Sequence, residues 1–161
     1  MELRLFISVM CCLYLSACAS TVENKPVEEP KVTMSSRCLD YAVQNGEQVA
    51  GFKSVYYAKN SDVPLQNLDS NMSCIVSYLA NHPEKRINVQ GFTDDTGSQA
   101  YNQALAQRRA QGLVEHLVLL GASPSQLQAS FRTLDGTETQ QVLTKEQRAE
   151  HRRVDFYVIE G

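Results

Sequence analysis

The chain has 161 residues, and its 15 basic and 18 acidic side chains give a formal net charge of −3. A chain of this length accommodates one ordinary domain. Because the charge is small and negative and no cluster of lysine or arginine is present, the composition argues against a basic surface for nucleic acid or anionic lipid.

The first segment, residues 1–17, carries Arg4 near its start and an apolar run that leads into Leu15-Ser16-Ala17-Cys18. The run is shorter than the ~20 apolar residues needed to span a bilayer, so it predicts a secretory signal peptide rather than a transmembrane helix. Leucine and two small residues before a cysteine resemble the bacterial lipobox. That resemblance implies that Cys18 becomes the lipidated first residue of the mature protein. An ordinary cleaved signal followed by an incidental cysteine is the alternative.

Residues 18–36 contain prolines and charged side chains with almost nothing apolar to bury. This composition predicts a flexible tether after the lipidated cysteine. Fully extended, it would reach on the order of 60 Å. We therefore divide the rest of the chain into a pre-domain segment at 37–52 and a folded domain at 53–161.

Two cysteines, Cys38 and Cys74, remain outside the leader and the lipidation site. An even pair in an oxidising compartment can form a disulfide. On its predicted helix, Cys74 falls opposite the apolar stripe, where a buried structural cysteine is not expected. This favours a bridge that pins the segment before the first strand to the helix, and two free thiols are the alternative.

Hydrophobic periodicity sets the order of elements in the domain. It predicts strands at 54–58, 87–92, 127–133 and 153–159, main helices at 65–81 and 98–120, and one or two helical turns at 144–151. Helices that alternate with strands favour an α/β fold. We expect a two-layer sandwich in which two main helices pack on a mixed sheet that contains a right-handed parallel crossover.

The long predicted helix carries an arginine on its apolar side. Its inward stripe holds Ala106, Ala110, Leu113, Leu117 and Leu120. Asn102 and Arg109 lie on or beside this stripe, whereas Arg108 points away from it. An arginine directed toward a core costs free energy unless an anion meets it. That anion is either a bound ligand or an internal carboxylate, Asp94 or Asp95.

The turn before this helix, residues 91–97, follows the carboxyl end of a strand, where ligand sites are common. Asp94 supplies an anion and Arg109 a cation, while Thr96 and Asn102 supply neutral hydrogen-bonding groups. Together they could hold a zwitterion, with carboxylate against guanidinium and ammonium against carboxylate. A simple turn with a helix cap is the plainer interpretation, and the two are compatible.

Several spaced motifs resemble the peptidoglycan-binding domain of the OmpA-like family over residues 53–160. They are Gly91-Phe92-Thr93-Asp94, Gly97, Asn102, Leu105, Arg109-Ala110 and His151-Arg152-Arg153-Val154. The resemblance implies that the domain binds the diaminopimelate side chain of the cell-wall peptide. It also implies that Asp94 and Arg109 bind the amino-acid head group of that side chain. Further residues implied at or near the ligand are Thr96, Asn102, Asn60 and Arg153.

Catalysis is not expected. The three histidines, His82, His116 and His151, are scattered, and no set of nucleophile, base and orienting group is evident. Cys38 and Cys74 lack the spacing of metal ligands relative to any histidine. We therefore expect neither an enzyme nor a cofactor nor a metal.

Taken together, these patterns predict a lipoprotein that joins a membrane to peptidoglycan without a covalent bond to the wall. Ala19 follows the lipidated cysteine, where no aspartate stands. By the usual sorting pattern of the lipoproteins that the chain resembles, this implies the outer membrane of a Gram-negative cell, with the domain facing the periplasm. The partners would be peptidoglycan, the membrane through the lipid on Cys18, and envelope proteins. The alternative is an envelope protein-interaction module, part of a motor or secretion complex, that uses the same fold without binding the wall.

Overall fold

The computed structural model describes residues 34–134 and 142–161. The predicted signal peptide, Cys18 and residues 19–33 of the predicted tether lie outside the described residues, as does most of the loop after the third predicted strand. Their assignments stay predictions.

The described residues form one five-stranded sheet with helices. In chain order the elements are α1 (Ser36–Leu39), β1 (Ala42–Asn45), β2 (Gln48–Tyr56), α2 (Asp69–Asn81), β3 (Lys85–Thr93), α3 (Gln99–Leu119), a 3-10 turn (Pro124–Gln126), β4 (Leu127–Thr133), α4 (Lys145–His151) and β5 (Arg153–Glu160). The strand order in the sheet is β1-β2-β5-β3-β4.

The sheet is mixed, as predicted. β3 and β4 are parallel neighbours joined through α3, whereas β1–β2, β2–β5 and β3–β5 are antiparallel. The parallel pair requires a crossover, because a short hairpin cannot connect strands that run in the same direction. The two-layer architecture with two main helices, α2 and α3, is thereby confirmed.

The sheet begins earlier than the sequence indicated. β1 and the first half of β2 fall within residues 37–52, which were predicted as a pre-domain segment. Asn45 pairs with Gln48, which leaves Gly46-Glu47 as a two-residue hairpin loop. Gly46 has φ +64, a left-handed conformation that glycine adopts without steric cost. The start of β2 is therefore Gln48, not Ser54.

The first main helix begins later than predicted. The segment around Leu65 is a loop in which the Leu65 N–H donates to the Tyr56 carbonyl, and α2 starts at Asp69. Leu65 is exposed rather than part of the apolar stripe. The observed ranges of α3, β3, β4 and β5 agree with the predicted ones within two residues.

The core lies between one face of the sheet and helices α2 and α3. Its fully buried members include Met72, Ile75, Leu79, Leu117, Ile87, Val89, Val154 and Phe156. Burying each such side chain contributes about 1.5–3 kcal/mol. Over residues 34–134 and 142–161, none of the helices combines the length and hydropathy needed to cross a bilayer.

A disulfide joins Cys38 to Cys74, with their Cα atoms 5.3 Å apart. Cys74 is buried although it lies opposite the predicted stripe, because Cys38 and the segment around α1 pack against α2 there. The bridge connects the point at which the chain enters the domain to one of the two core helices.

Breaking this bridge is expected to destabilise the domain. The two cysteines are 36 positions apart, and closing a loop of that length restricts the unfolded chain by about 3–4 kcal/mol. Urea unfolding with and without reductant should show this loss. The Cys38→Ser variant is the control, since reductant should not change its stability. Equal stability of the wild type in both conditions would contradict the bridge.

Candidate functional site

The turn between β3 and α3 is held by its own side chains. One carboxylate oxygen of Asp94, Oδ1, accepts hydrogen bonds from the backbone N–H of Thr96 at 3.0 Å and from its hydroxyl at 2.6 Å. From the first turn of α3, Asn102 Nδ2 donates to the carbonyls of Asp94 at 3.2 Å and Thr96 at 3.0 Å. Asp94 and Asn102 are both buried. The structure thus brings three predicted site residues together, and two of them shape the turn that presents Asp94.

The cation paired with Asp94 is Arg152. Its Nη1 donates to Asp94 Oδ2 at 3.0 Å, and its Nε donates to the Tyr57 carbonyl at 3.3 Å. Burial alone would raise the pKa of Asp94, but the hydrogen bonds from Thr96 and Arg152 outweigh burial and hold this pKa below its ordinary value. The family resemblance implied Arg153 rather than Arg152 near the ligand. Arg152 is the residue at which α4 ends and Arg153 is the first residue of β5, so the sequence pattern alone does not give the direction of either side chain.

Arg109 is the most deeply buried charged residue of the described chain, with 1% of its surface exposed. Its guanidinium donates to three backbone carbonyls: Nε to Ser61 at 2.9 Å, Nη1 to Phe92 at 2.8 Å and Nη2 to Ala58 at 3.1 Å. The guanidinium carbon lies 4.7 Å from the centre of the Tyr57 ring. Arg109 thus ties the loop after β2 to the end of β3.

The internal ion pair considered for Arg109 does not form, since no described carboxylate lies within ion-pair distance of it. Asp94 pairs with Arg152, Asp95 pairs with Arg148, and Arg108 reaches outward to Asp62 at 3.2 Å. Burial lowers the pKa of Arg109, while nearby Tyr57 and Asp94 act in the opposite direction. A guanidinium nevertheless stays protonated in proteins.

The hydrogen bonds do not use the full donor and acceptor capacity of Arg109 and Asp94. A guanidinium has five N–H groups, and the three carbonyls occupy three, which leaves one on each terminal nitrogen. A carboxylate offers about four acceptor positions, and Asp94 uses three. Burial also raises the pKa of Tyr57 well above its usual range, so the ring beside Arg109 is neutral. Two buried groups of opposite charge thus keep unused donors and one unused acceptor position.

The two remaining predicted residues take different positions. Asn60 is exposed and has φ +56, which asparagine tolerates better than most residues. It turns the loop between Ala58 and Ser61, whose carbonyls both face Arg109. Arg153 instead pairs with Asp155 at 3.0 Å and lies over the Phe92 ring, 4.6 Å from its centre. Asn60 is therefore connected to Arg109 through the backbone of its loop, whereas Arg153 packs on a side chain of β3 and pairs with Asp155 rather than with Asp94.

The carboxylates of the turn predict loss of stability in acid. Hydrogen bonds from Arg148 hold the pKa of Asp95 below 3.8 in the folded state. The pKa of Asp94 is also below 3.8, because Thr96 and Arg152 donate to its carboxylate. The stability they contribute is complete above that value and is lost as the pH falls through the folded-state pKa values. We expect the melting temperature to drop between about pH 4 and pH 2. The Asp94→Asn variant should show a shallower drop, and replacing the exposed Asp40 should not change it. Equal slopes in all three proteins would contradict this assignment.

Among the described residues, no group of three or more His, Cys, Asp or Glu side chains is placed to hold a metal ion. The site at the end of β3 consists of hydrogen-bonding groups and one buried ion pair.

The five-stranded mixed sheet and this turn define an α/β domain. In it the buried carboxylate of Asp94 follows β3, and the buried guanidinium of Arg109 extends from α3 to the ends of β3 and β2. The chain belongs to the OmpA family, whose sequence profile matches residues 56–154.

Individual relatives agree with this assignment. The chain is similar to the solved peptidoglycan-associated lipoprotein from Burkholderia pseudomallei, with 30% identity and a TM-score of 0.58 over 66% of this chain and 89% of that one. It is also similar to the C-terminal domain of Helicobacter pylori MotB, with 26% identity and a TM-score of 0.54 over 69% and 87% of the two chains.

A curated relative matches over a shorter stretch. The peptidoglycan-associated lipoprotein of Legionella pneumophila is 44% identical over 50 residues, which is 31% of this chain and 28% of that protein. The aligned part therefore spans less than a third of this relative's length.

Proposed function

We propose that this chain is an outer-membrane lipoprotein that anchors the membrane to peptidoglycan by binding the diaminopimelate of the stem peptide. Membership in the OmpA family supports the wall as the partner. The names of the relatives from Burkholderia pseudomallei and Legionella pneumophila support a peptidoglycan-associated lipoprotein.

The observation that carries the proposal is the residual hydrogen-bonding capacity of a buried cation next to a buried anion. The free end of diaminopimelate is an amino-acid head group. Its carboxylate accepts from the two remaining N–H groups of Arg109, and its ammonium donates to the remaining acceptor of Asp94. Charge-assisted hydrogen bonds of this kind contribute about 1.5–3 kcal/mol each. Binding needs no catalytic step and no cofactor.

The other residues of the site support this pair. Thr96 and Asn102 hold the turn that presents Asp94, and the loop at Asn60 supplies two of the carbonyls that orient Arg109. Arg153 supports Phe92, whose carbonyl is the third. A ligand head group thus meets a preformed arrangement, which lowers the entropy cost of binding.

The membrane side of the proposal rests on Cys18. One acyl chain binds a bilayer only marginally, whereas several together anchor stably. Residues 18–36 would then tether the domain, which faces the periplasm. Palmitate labelling of cells should mark the wild type and not the Cys18→Ser variant. Equal labelling of both would overturn the lipid anchor.

A second candidate is an envelope protein-interaction module that does not bind the wall. The likeness to the C-terminal domain of Helicobacter pylori MotB supports it, because that domain shares the fold.

Sedimentation with purified peptidoglycan separates the two candidates. The mature chain with Cys18→Ser should sediment with peptidoglycan, and the Asp94→Ala and Arg109→Ala variants should remain in solution. Arg108→Ala is the matched control, because Arg108 is the neighbouring arginine on α3 but reaches outward to Asp62. If the folded wild type stays in solution, wall binding is wrong and the interaction module is favoured.

A further inference from the structure

Two parallel ion pairs connect α4 to the site turn. Arg148 Nε donates to Asp95 Oδ1 at 2.6 Å and its Nη2 donates to Asp95 Oδ2 at 3.0 Å, while Arg152 bonds Asp94 at 3.0 Å. Asp94 and Asp95 are consecutive in the turn. Arg148 lies within α4, and Arg152, four positions later, is the residue directly after the end of that helix.

These pairs are the main attachment of α4. None of the residues of α4 is buried, so the helix lacks the apolar contacts that hold α2 and α3 in place. Its start is stabilised locally, since Thr144 and Gln147 form a reciprocal capping box. The position of α4 against the turn is consequently determined by Arg148 within the helix and Arg152 directly after it.

Arg152 is also fixed from the other side. The Tyr57 N–H donates to the Arg152 carbonyl at 2.9 Å, and Arg152 Nε donates to the Tyr57 carbonyl. Arg148 has a single described partner, Asp95, which it contacts through two hydrogen bonds in the fork geometry that arginine forms with a carboxylate. Without Arg148, the carboxylate of Asp95 would be unpaired one residue from Asp94, where it would compete for Arg152 and for a ligand ammonium.

We propose that Arg148 is a positioning residue for the ligand site. Through Asp95 it fixes α4 and the turn, so that Arg152 bonds the carboxylate of Asp94 and not that of Asp95, and one acceptor of Asp94 stays available. The proposal rests on the proposed function, because the ligand it refers to is the diaminopimelate head group.

The test is a double-mutant cycle read by ligand affinity. Calorimetric titration with a diaminopimelate-containing stem peptide would compare the wild type with Arg148→Ala, Asp95→Ala and the double variant, all at a temperature where each is folded. Each single variant should bind about threefold to tenfold more weakly, and the double variant should be no weaker than either single one. Arg148→Lys should recover only part of the affinity, because lysine cannot form the two-pronged contact. Glu160→Ala breaks the Lys85–Glu160 pair at the other end of β3 and is the control, with unchanged affinity.

A second measurement separates positioning from general stability. The Thr96 N–H donates to Asp94, so its hydrogen-exchange rate reports on the turn. We expect faster exchange at Thr96 in Arg148→Ala while amides in β3 keep their rates. Wild-type affinity in Arg148→Ala, or unchanged Thr96 exchange, would overturn the proposal. If the wild type does not bind the peptide, the proposed function fails, and the Thr96 exchange alone decides whether Arg148 orders the turn.

Discussion

Replacing Arg109 by lysine is expected to abolish ligand binding and to destabilise the fold, although the charge is retained. The guanidinium reaches three carbonyls on two separate segments and keeps two N–H groups for a ligand. An ammonium is a compact point charge that cannot satisfy this planar set. Leaving these partly buried carbonyls without their charged donor, inside a site where Arg109 itself is buried, should cost about 2–4 kcal/mol in the free energy of unfolding. Urea unfolding and peptidoglycan sedimentation measure the two effects.

Arg108→Lys is the matched control for this substitution. Arg108 is adjacent on α3 and half exposed, and it bonds Asp62 at the surface. Its replacement should change stability by less than about 0.5 kcal/mol and leave binding intact. If Arg109→Lys behaves like Arg108→Lys, the buried guanidinium is not what shapes the site.

The second large effect is expected at Gly91, where β3 packs directly against the backbone of α3. A Cβ at this position would lie 2.1 Å from the carbonyl oxygen of Ala106, a backbone atom that cannot rotate away. Gly91→Ala must therefore push α3 from the sheet, at a cost of about 3 kcal/mol. The shift would also move Arg109 away from the Phe92 carbonyl, so ligand affinity should fall together with stability.

The same substitution at Gly112 on α3 is expected to have the opposite effect on stability. It is helical and exposed, and a Cβ there meets nothing within 4 Å. Gly112→Ala should stabilise the protein by roughly 0.5–1 kcal/mol, because alanine favours the helix and restricts the unfolded chain. Thermal melts of both variants would check the pair. A melting temperature for Gly91→Ala at or above that of the wild type would contradict the close packing.

The fold was largely predictable because the hydrophobic periodicity and the residues that begin and end helices and turns agree along most of the chain. β4 was located at the observed residues, and α3 within one residue at each end, since Ser98 and Gly121 mark its limits. The β1–β2 hairpin was missed, although Asn45-Gly46 is a turn signal. Its strands are short or mostly exposed on one side, so the apolar pattern alone did not identify them.

The sequence predicted which part of the chain forms the site, but it did not predict the hydrogen bonds and ion pairs within it. The helical period placed Arg109 inward, and it is buried. Its carbonyl partners were not predictable, because the side-chain pattern of a sequence does not indicate which backbone carbonyls of a distant loop will accept hydrogen bonds. Arg152 and Arg148 were missed for a related reason. Their pairing with the turn depends on how a short, unburied helix docks, and hydrophobic periodicity carries no information about that.

The most direct test of the account compares two stem peptides that differ at one residue. Calorimetric titration would measure the affinity of the wild-type mature chain, with Cys18→Ser, for a peptide that carries diaminopimelate and for one that carries lysine in its place. Lysine retains the side-chain ammonium and lacks the second carboxylate, so only the group proposed to bind Arg109 is removed. We predict that affinity for the lysine peptide is lower by about tenfold or more, the loss expected from removing one charge-assisted contact. Equal affinity for both peptides would contradict the central claim that Arg109 and Asp94 together recognise the amino-acid head group.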